Sequence, residues 1–165
     1  MSEIRALREV EGIRVRRVDE AQDQLRRAQQ RQREAEQALA KAQQALADYR
    51  QRLPNLIEQL YTDCIDHLVS REFLQDKVHE ETRLRSKVED FKAQVTETTK
   101  ALEAAKKAVV EAQLRLNIER MKLDALQELI RAERRKLAVA QARADAKVLD
   151  DLAGSKFVRA MRKAA

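Results

Sequence analysis

Residues 18–60 read VDEAQDQLRRAQQRQREAEQALAKAQQALADYRQRLPNLIEQL, and their apolar side chains recur at alternating spacings of three and four. The same rhythm returns from Leu74 to Ala144, after one interruption near the middle of the chain. An apolar repeat of 3.5 residues is typical of helices that wind around each other in a left-handed supercoil. The sequence therefore predicts an all-α fold, a long antiparallel two-helix coiled-coil hairpin with a kinked or short-helical tip.

The composition agrees with long helices and argues against a wide globular core. Of 165 residues, 38% are charged and 3% aromatic, with two Gly and one Pro. A two-helix hairpin offers no enclosed pocket, so we expect no catalytic site, no cofactor and no enzymatic activity. Cys64 and His67 lie three residues apart, but no CxxC pair accompanies them, which disfavours a metal site because structural zinc needs about four ligands.

The sequence favours a cytoplasmic location. It contains no apolar run of the roughly 18 residues that a membrane-spanning helix needs. The first residues lack the apolar core of a signal peptide, and the single cysteine provides no disulfide framework.

Breakers and caps divide the chain into two helices within one coiled-coil domain over residues 1–165. We expect helix one over about residues 2–68, where Pro54 either kinks the helix or starts a separate short one. The turn is predicted at about residues 68–71, with Ser70 as the N-cap of helix two. Helix two should run over about residues 71–152, because Gly154 is a helix-stop signal, and leave a basic tail over residues 153–165.

Charge is distributed unevenly along the chain, whose net charge is +6. Residues 1–17 carry five bases and three acids, and residues 120–165 carry twelve bases and six acids. The middle, residues 54–76, carries five acids and only Arg71 as a base. A hairpin would therefore bring two basic segments together at its open end and place an acidic tip at the other, although long solvated helices also carry scattered charge without such a function.

Aromatic and large apolar residues concentrate near the predicted tip. A two-helix tip has little room to bury them, so we expect either a docking surface for a partner or a small tip core. The candidate docking residues are Tyr49, Leu53, Leu56, Tyr61 and Phe73.

These features together resemble the stalk proteins of type III secretion, the family of injectisome YscO and flagellar FliJ. The likeness rests on the arginine-rich first helix, the single midpoint break, the basic end of helix two, and the stretch from Leu60-Tyr61 to Arg71-Glu72-Phe73-Leu74, which is similar to the injectisome branch. It covers nearly the whole chain.

The resemblance implies a central stalk that links a hexameric secretion ATPase to the export gate, with export chaperones as further partners and only indirect contact with the membrane. The open end would enter the ATPase, and the tip, assigned from its chemistry alone, would bind the cytoplasmic domain of the export gate. The basic residues expected to face the ATPase are Arg5, Arg8, Arg14, Arg16, Arg17, Lys147, Lys156, Arg159, Arg162 and Lys163.

Two other functions fit the same pattern. A generic structural or adaptor coiled coil needs only the heptads. A basic nucleic-acid-binding rod would use the arginine clusters, but residues that could stack on bases are scarce.

Overall fold

The computed structural model describes residues 2–165, which form two long α-helices that pack together. Helix α1 spans Ser2–Tyr61, a single 3-10 turn spans Thr62–Cys64, and helix α2 spans Arg71–Ala164. The described residues contain no strand. The predicted all-α hairpin of two long helices is confirmed.

Burial follows the heptad phase. On α1, every predicted seam position from Ile4 to Leu60 is buried or half-buried, and the same holds on α2 from Lys77 to Glu133. Four of the most deeply buried residues are alanines, whose small side chains allow the two backbones to approach closely. The most buried apolar residues are Ala21, Leu25, Ala28, Ala42, Tyr49, Leu102, Ala112, Leu116 and Ile130.

The chain comprises two compact units, and the prediction of one domain over residues 1–165 stays a prediction. One unit is formed by the chain up to Gln22 together with Arg115–Ala165, and the other by Asp23–Leu114. We call them the terminal unit and the central unit.

In the central unit, side-chain contacts fix the antiparallel register. The rings of Tyr49 and Phe91 lie 4.9 Å apart between centroids. Further along α1 and further back on α2, the hydroxyl of Tyr61 donates a hydrogen bond of 2.7 Å to Glu81. Contact partners on α2 thus move towards its start as α1 proceeds, as the hairpin requires.

The connection between the helices begins earlier than predicted. Helix one was expected to reach residue 68, but α1 ends at Tyr61, and residues 65–70 belong to no helix. The apolar spacing of Ile65 and Leu68 suggested a helix, yet both side chains are exposed. Because no neighbouring element buries them, their packing cannot offset the entropy of extending the helix.

Asp66 makes the reversal possible without a glycine. Its φ of 62° lies in the left-handed region, which aspartate adopts more readily than most residues with a side chain. The predicted cap is confirmed, since the Oγ atom of Ser70 accepts a 3.1 Å hydrogen bond from the backbone N–H of Phe73.

Pro54 lies inside α1 and does not end it. Proline lacks the N–H that would bond one turn back and costs about 3 kcal/mol in a helix interior. The seam residues on either side, Leu53 and Leu56, are half-buried, and their packing helps to offset that cost.

Helix α2 also continues past its predicted end. Residue 152 and a separate tail from 153 were expected, but α2 runs through Gly154 to Ala164. Gly154 does not adopt a positive φ, so it forms no left-handed C-cap here. A mid-helix glycine costs only about 1 kcal/mol, and the strong helix formers after it offset this. Two bases in the last turn, Arg162 and Lys163, suit the negative end of the helix dipole.

Candidate functional site

The first basic cluster lies on α1 in the terminal unit. Arg5, Arg8, Arg16 and Arg17 are exposed. Arg5 forms an ion pair of 3.7 Å with Glu9, but both side chains remain more than 70% exposed, so this pair restrains the guanidinium only weakly. These four arginines are accessible to an external partner, and their contact with the ATPase stays a prediction.

Arg14 differs from the other arginines of this cluster in its burial, and its assignment to the end that faces the ATPase stays a prediction. Its guanidinium lies in the seam, 3.5 Å from a carboxylate oxygen of Glu119, and its side chain is only 28% exposed. Heptad phase explains this position, because Arg14 falls at a seam position of α1. Arg14 therefore joins the two helices.

The partner carboxylate of Arg14 is held by several cations. A hydrogen bond of 2.9 Å from the Lys122 ammonium is the largest cause that lowers the pKa of Glu119. The positive charges of Lys122, Arg14 and Arg17 lower this pKa further, while partial burial opposes them. Glu119 is thus a fixed anion at neutral pH.

A second polar pair joins the two helices of the terminal unit at the edge of the seam. The amide of Gln127 donates a hydrogen bond of 3.1 Å to the carboxylate of Glu11. On α2 the apolar residues Leu123 and Leu126 lie between these two pairs, and both pairs require partners that are matched in register. Register in this unit is therefore specified by side-chain identity as well as by burial.

Past Glu133, α2 has no packing partner among the described residues. Every residue from 134 to 164 is exposed, including Leu137, Ala140 and Ala144, which continue the heptad. A hydrogen bond of 2.7 Å to Glu133 is the largest cause that raises the pKa of Lys136, and the charge of Glu3 raises this pKa further. Glu3 lies in the first turn of α1, so Lys136 lies near the level at which α1 begins. We call residues 134–164 the α2 extension.

The α2 extension carries the second basic cluster. The whole extension contains nine bases and three acids. The predicted contact residues in it are all exposed: Lys147, Lys156, Arg159, Arg162 and Lys163.

The two basic segments share the terminal unit, but the predicted contact residues of α2 lie beyond the start of α1 and not beside its arginines. Lys147 and Lys163 follow Lys136 by eleven and 27 residues. At 1.5 Å per residue, the second cluster begins about 16 Å beyond the start of α1 and ends about 40 Å beyond it. The terminal unit thus presents a basic helix pair followed by a basic single helix.

The predicted docking residues of the central unit are in different environments. Tyr49 is buried, with 6% of its surface exposed. Its ring packs on Phe91, and its hydroxyl donates a hydrogen bond of 2.7 Å to the backbone carbonyl of Leu84. The assignment of Tyr49 to a docking surface is wrong because an aromatic ring at a seam position is large enough to fill the space between two helices.

Tyr61 is half-buried and organises a small polar network. Its hydroxyl donates to one oxygen of Glu81, and the guanidinium of Arg85 lies 2.7 Å from the other oxygen. The hydrogen bond to Glu81 raises the pKa of Tyr61, and the same bond, followed by that from Arg85, lowers the pKa of Glu81. Tyr61 therefore connects the last turn of α1 to α2.

The remaining docking candidates retain some accessibility. Leu53 and Leu56 are half-buried at seam positions. Phe73 is 37% exposed, and the ammonium of Lys77 lies 5.2 Å from its ring centroid, a cation–π geometry. Among the five predicted residues, Phe73 presents the most aromatic surface.

An exposed apolar row on α2 was not predicted. Ile118, Met121 and Leu129 are 40%, 71% and 47% exposed. Neighbours in this row lie three and eight residues apart and outside the seam series, so they share a face of α2 that does not contact α1. The sequence does contain a signal for this row, because its residues form a second apolar series that is offset from the seam series.

Two classes of site are not found among residues 2–165. No group of three or more His, Cys, Asp or Glu side chains is placed to hold a metal ion. No helix in this range is long and apolar enough to cross a membrane.

Comparison with known proteins assigns the chain to a family. A family model described as type III secretion protein YscO matches residues 7–151, which is most of the chain. No curated protein and no solved structure matches it. The matched region includes the two polar pairs, the helix connection and the first half of the α2 extension. The chain therefore belongs to the YscO family of type III secretion proteins.

Proposed function

We propose that this protein is the central stalk of a type III secretion system and couples the hexameric secretion ATPase to the export gate. In this role it is cytoplasmic, lies at the inner-membrane base of the apparatus, and acts by binding rather than by catalysis. Its membership of the YscO family assigns the protein to a type III secretion system. The residues that would contact each partner are inferred from exposure and charge.

The observation that carries the proposal is the α2 extension. It is a single exposed helix, with nine bases and three acids, that continues past the start of α1. A helix with its side chains is about 10–12 Å wide, which suits the axial opening of a protein ring. An acidic lining would attract it through charge.

Symmetry determines what kind of contact is possible there. Six identical ATPase subunits cannot all make the same hydrogen bonds to one asymmetric helix. Contacts dominated by charge tolerate this mismatch, because they depend weakly on side-chain orientation. Exposed ion pairs are worth about 0.2–1 kcal/mol each and weaken with salt, so affinity should come from many small contributions.

The proposed contact with the export gate uses the central unit. The gate would bind around Phe73, and the half-buried Leu53 and Leu56 of α1 would add apolar surface further along the central unit. Tyr61 would contribute by holding α2 through Glu81. Acidic residues of this segment, including Glu72 and Asp76, would favour a partner surface that carries positive charge.

The exposed row of Ile118, Met121 and Leu129 suits a role in handling export chaperones. Apolar side chains on a face without a packing partner are a common feature of protein-binding surfaces. A chaperone groove that accepts an amphipathic helix would bury this row.

The experiment measures binding of the purified protein to its secretion ATPase at low salt and at about 0.5 M salt. One variant replaces Lys156, Arg159, Arg162 and Lys163 with Glu, and a second replaces Arg5, Arg8, Arg16 and Arg17 with Glu. We expect the first variant to lose ATPase binding and stimulation while its helical content, measured by circular dichroism, is retained.

A matched control keeps the total charge change the same. It replaces Arg33, Arg50, Lys87 and Lys107, four exposed bases of the central unit, with Glu. This control should bind the ATPase almost as well as the unmodified chain. Salt-independent affinity, or a first variant that still stimulates the ATPase, would contradict the proposal.

A further inference from the structure

We propose that the last turns of α2, residues 149–164, bind the surface of an anionic lipid bilayer as an amphipathic helix. This inference goes beyond the stalk function, which requires no direct contact with lipid. It concerns the protein that is not bound to the ATPase, and the segment belongs to the terminal unit.

The apolar side of this segment exists because α2 does not stop at Gly154. In a continuous helix each residue advances about 100°, so Leu149, Ala153, Phe157 and Met161 together span an arc of about 120°. Leu149, Phe157 and Met161 are 65%, 66% and 59% exposed. Asp150 lies within this arc at its start, but from Ala153 onward the arc carries only apolar side chains, and these contact nothing within the described chain.

The opposite side of the segment is basic. Lys156, Arg159, Arg162 and Lys163 span another arc of about 120°, centred about 140° from the apolar arc. No acidic side chain follows Asp151. A helix with an apolar face and a cationic face is the pattern that lies in the interface of a bilayer with anionic headgroups.

The spacing of the apolar residues favours a lipid surface over a partner helix. Spacings of four, without the alternating threes of a heptad, make the row drift about 40° around the helix at each step. Such a row cannot follow the straight seam of a coiled coil, whereas a lipid interface accepts an apolar arc wider than about 100°. Val158 lies beside this arc and adds apolar surface, whereas Leu152 lies among the bases on the other side of the helix.

A second copy of the chain is a poor occupant of this face. Four bases per segment would lie close to four more, and like charges repel. An anionic bilayer instead brings opposite charge to the basic arc and hydrocarbon to the apolar arc. The long stems of lysine and arginine let their charged groups reach the headgroups while the helix lies in the surface.

Lipid and the ATPase would compete for the same bases. A segment that lies on a bilayer cannot at the same time occupy a ring, so the two bound states exclude each other. Only the lipid-bound state needs Phe157 and Met161 to be buried. Replacing these two residues therefore separates the two proposals.

The test uses the full chain, without ATPase, and vesicles of phosphatidylcholine with or without about 30% phosphatidylglycerol. We expect binding to the anionic vesicles only, with a loss of at least about tenfold in affinity between low salt and 0.5 M salt. The F157A/M161A variant should bind about tenfold more weakly. Replacing Lys156, Arg159, Arg162 and Lys163 with Gln should abolish binding, because each base near an anionic surface strengthens it about fivefold.

Two controls show where the contact lies. The M121A/L129A variant removes two exposed apolar side chains elsewhere in the terminal unit and should bind like the unmodified chain. The protein contains no Trp, so Phe157→Trp places a single fluorescent reporter in the segment. Its emission should shift to shorter wavelength on anionic vesicles, whereas that of Phe73→Trp should not.

Several results would overturn the inference. They are absence of binding to anionic vesicles, equal binding by F157A/M161A, and an unchanged Phe157→Trp spectrum in the bound state. If F157A/M161A binds lipid normally but no longer binds the ATPase, the face docks on protein instead. Because the vesicle assay contains no ATPase, a negative result there leaves the stalk proposal standing.

Discussion

Replacement of Tyr49 tests whether the aromatic cluster of the central unit is core or docking surface. Tyr49 is 6% exposed, its ring lies 4.9 Å from that of Phe91, and its hydroxyl donates to the Leu84 carbonyl at 2.7 Å. One substitution can remove the hydrogen bond alone, and another can remove the hydrogen bond together with the ring. The expected losses therefore form a graded series.

The smallest change in this series is Tyr49→Phe. It removes only the hydrogen bond, and the free energy of unfolding should fall by about 0.5–1.5 kcal/mol. The Leu84 carbonyl lies within α2, so it retains its helical hydrogen bond. Tyr49→Ala removes the ring as well and should cost about 3 kcal/mol, at the low end for large aromatic residues because a two-helix seam can partly close.

A loss of about 3 kcal/mol corresponds to a fall of about 6–12 °C in the Tm of a chain of this size. Circular dichroism at 222 nm during heating and urea titration measures both quantities. A double-mutant cycle with Phe91→Leu should find a coupling of about 0.5–1.5 kcal/mol for the ring pair. Phe73→Ala serves as the matched control, because its ring is 37% exposed and should contribute little to stability.

One outcome would refute the reasoning about Tyr49. If Tyr49→Ala left the Tm unchanged and weakened binding of the export gate, the residue would be a contact residue. Equal losses of stability for Tyr49→Ala and Phe73→Ala would also contradict the assigned burial.

Three further predictions concern the seam, the helix connection and the response to pH. Leu46→Asp should destabilise the chain by several kcal/mol because it places an unpaired charge in the seam, whereas Ala at exposed Asp48 should change stability by no more than about 0.5 kcal/mol; similar melting-temperature losses would refute the heptad phase. Asp66→Val should cost about 1–2 kcal/mol because of its positive φ, and Asp66→Gly should be neutral or stabilising, as chemical denaturation will show. The folded-state pKa values of Glu81 and Glu119 are lowered, so their stabilisation is present above the ordinary carboxylate pKa of about 4.3 and is lost as pH falls through the folded value. The Tm difference between the unmodified chain and each Glu→Gln variant should therefore shrink on acidification, and a difference that grew would contradict this sign.

The sequence by itself determined the fold class and the seam. Alternating spacings of three and four define one face of each helix, and that face is fixed by the period of the α-helix alone. Even the unusual seam position of Arg14 follows from the phase. Ser70 as a cap also required only local chemistry, since a side-chain oxygen satisfies a free N–H of the first turn.

Helix ends and the exposure of particular side chains depended on the structure. Ile65 and Leu68 have helical spacing, but a helix extends only where packing or propensity supports it, and α1 ends before them. Gly154 predicts a helix end, yet a glycine inside a helix costs only about 1 kcal/mol, which the helix propensities of the neighbouring residues offset. Both errors arise because a local signal worth about 1 kcal/mol competes with the packing and helix propensity summed over many residues.

Only part of the candidate site could be predicted from the sequence, because register and burial depend on how the two helices pack. Composition identified the basic segments, but register determined that Arg14 pairs with Glu119. Burial separated Tyr49, enclosed by Phe91, from the exposed ring of Phe73. A heptad specifies which side of a helix is buried, whereas the level at which a second helix begins and ends decides which of those positions have a partner.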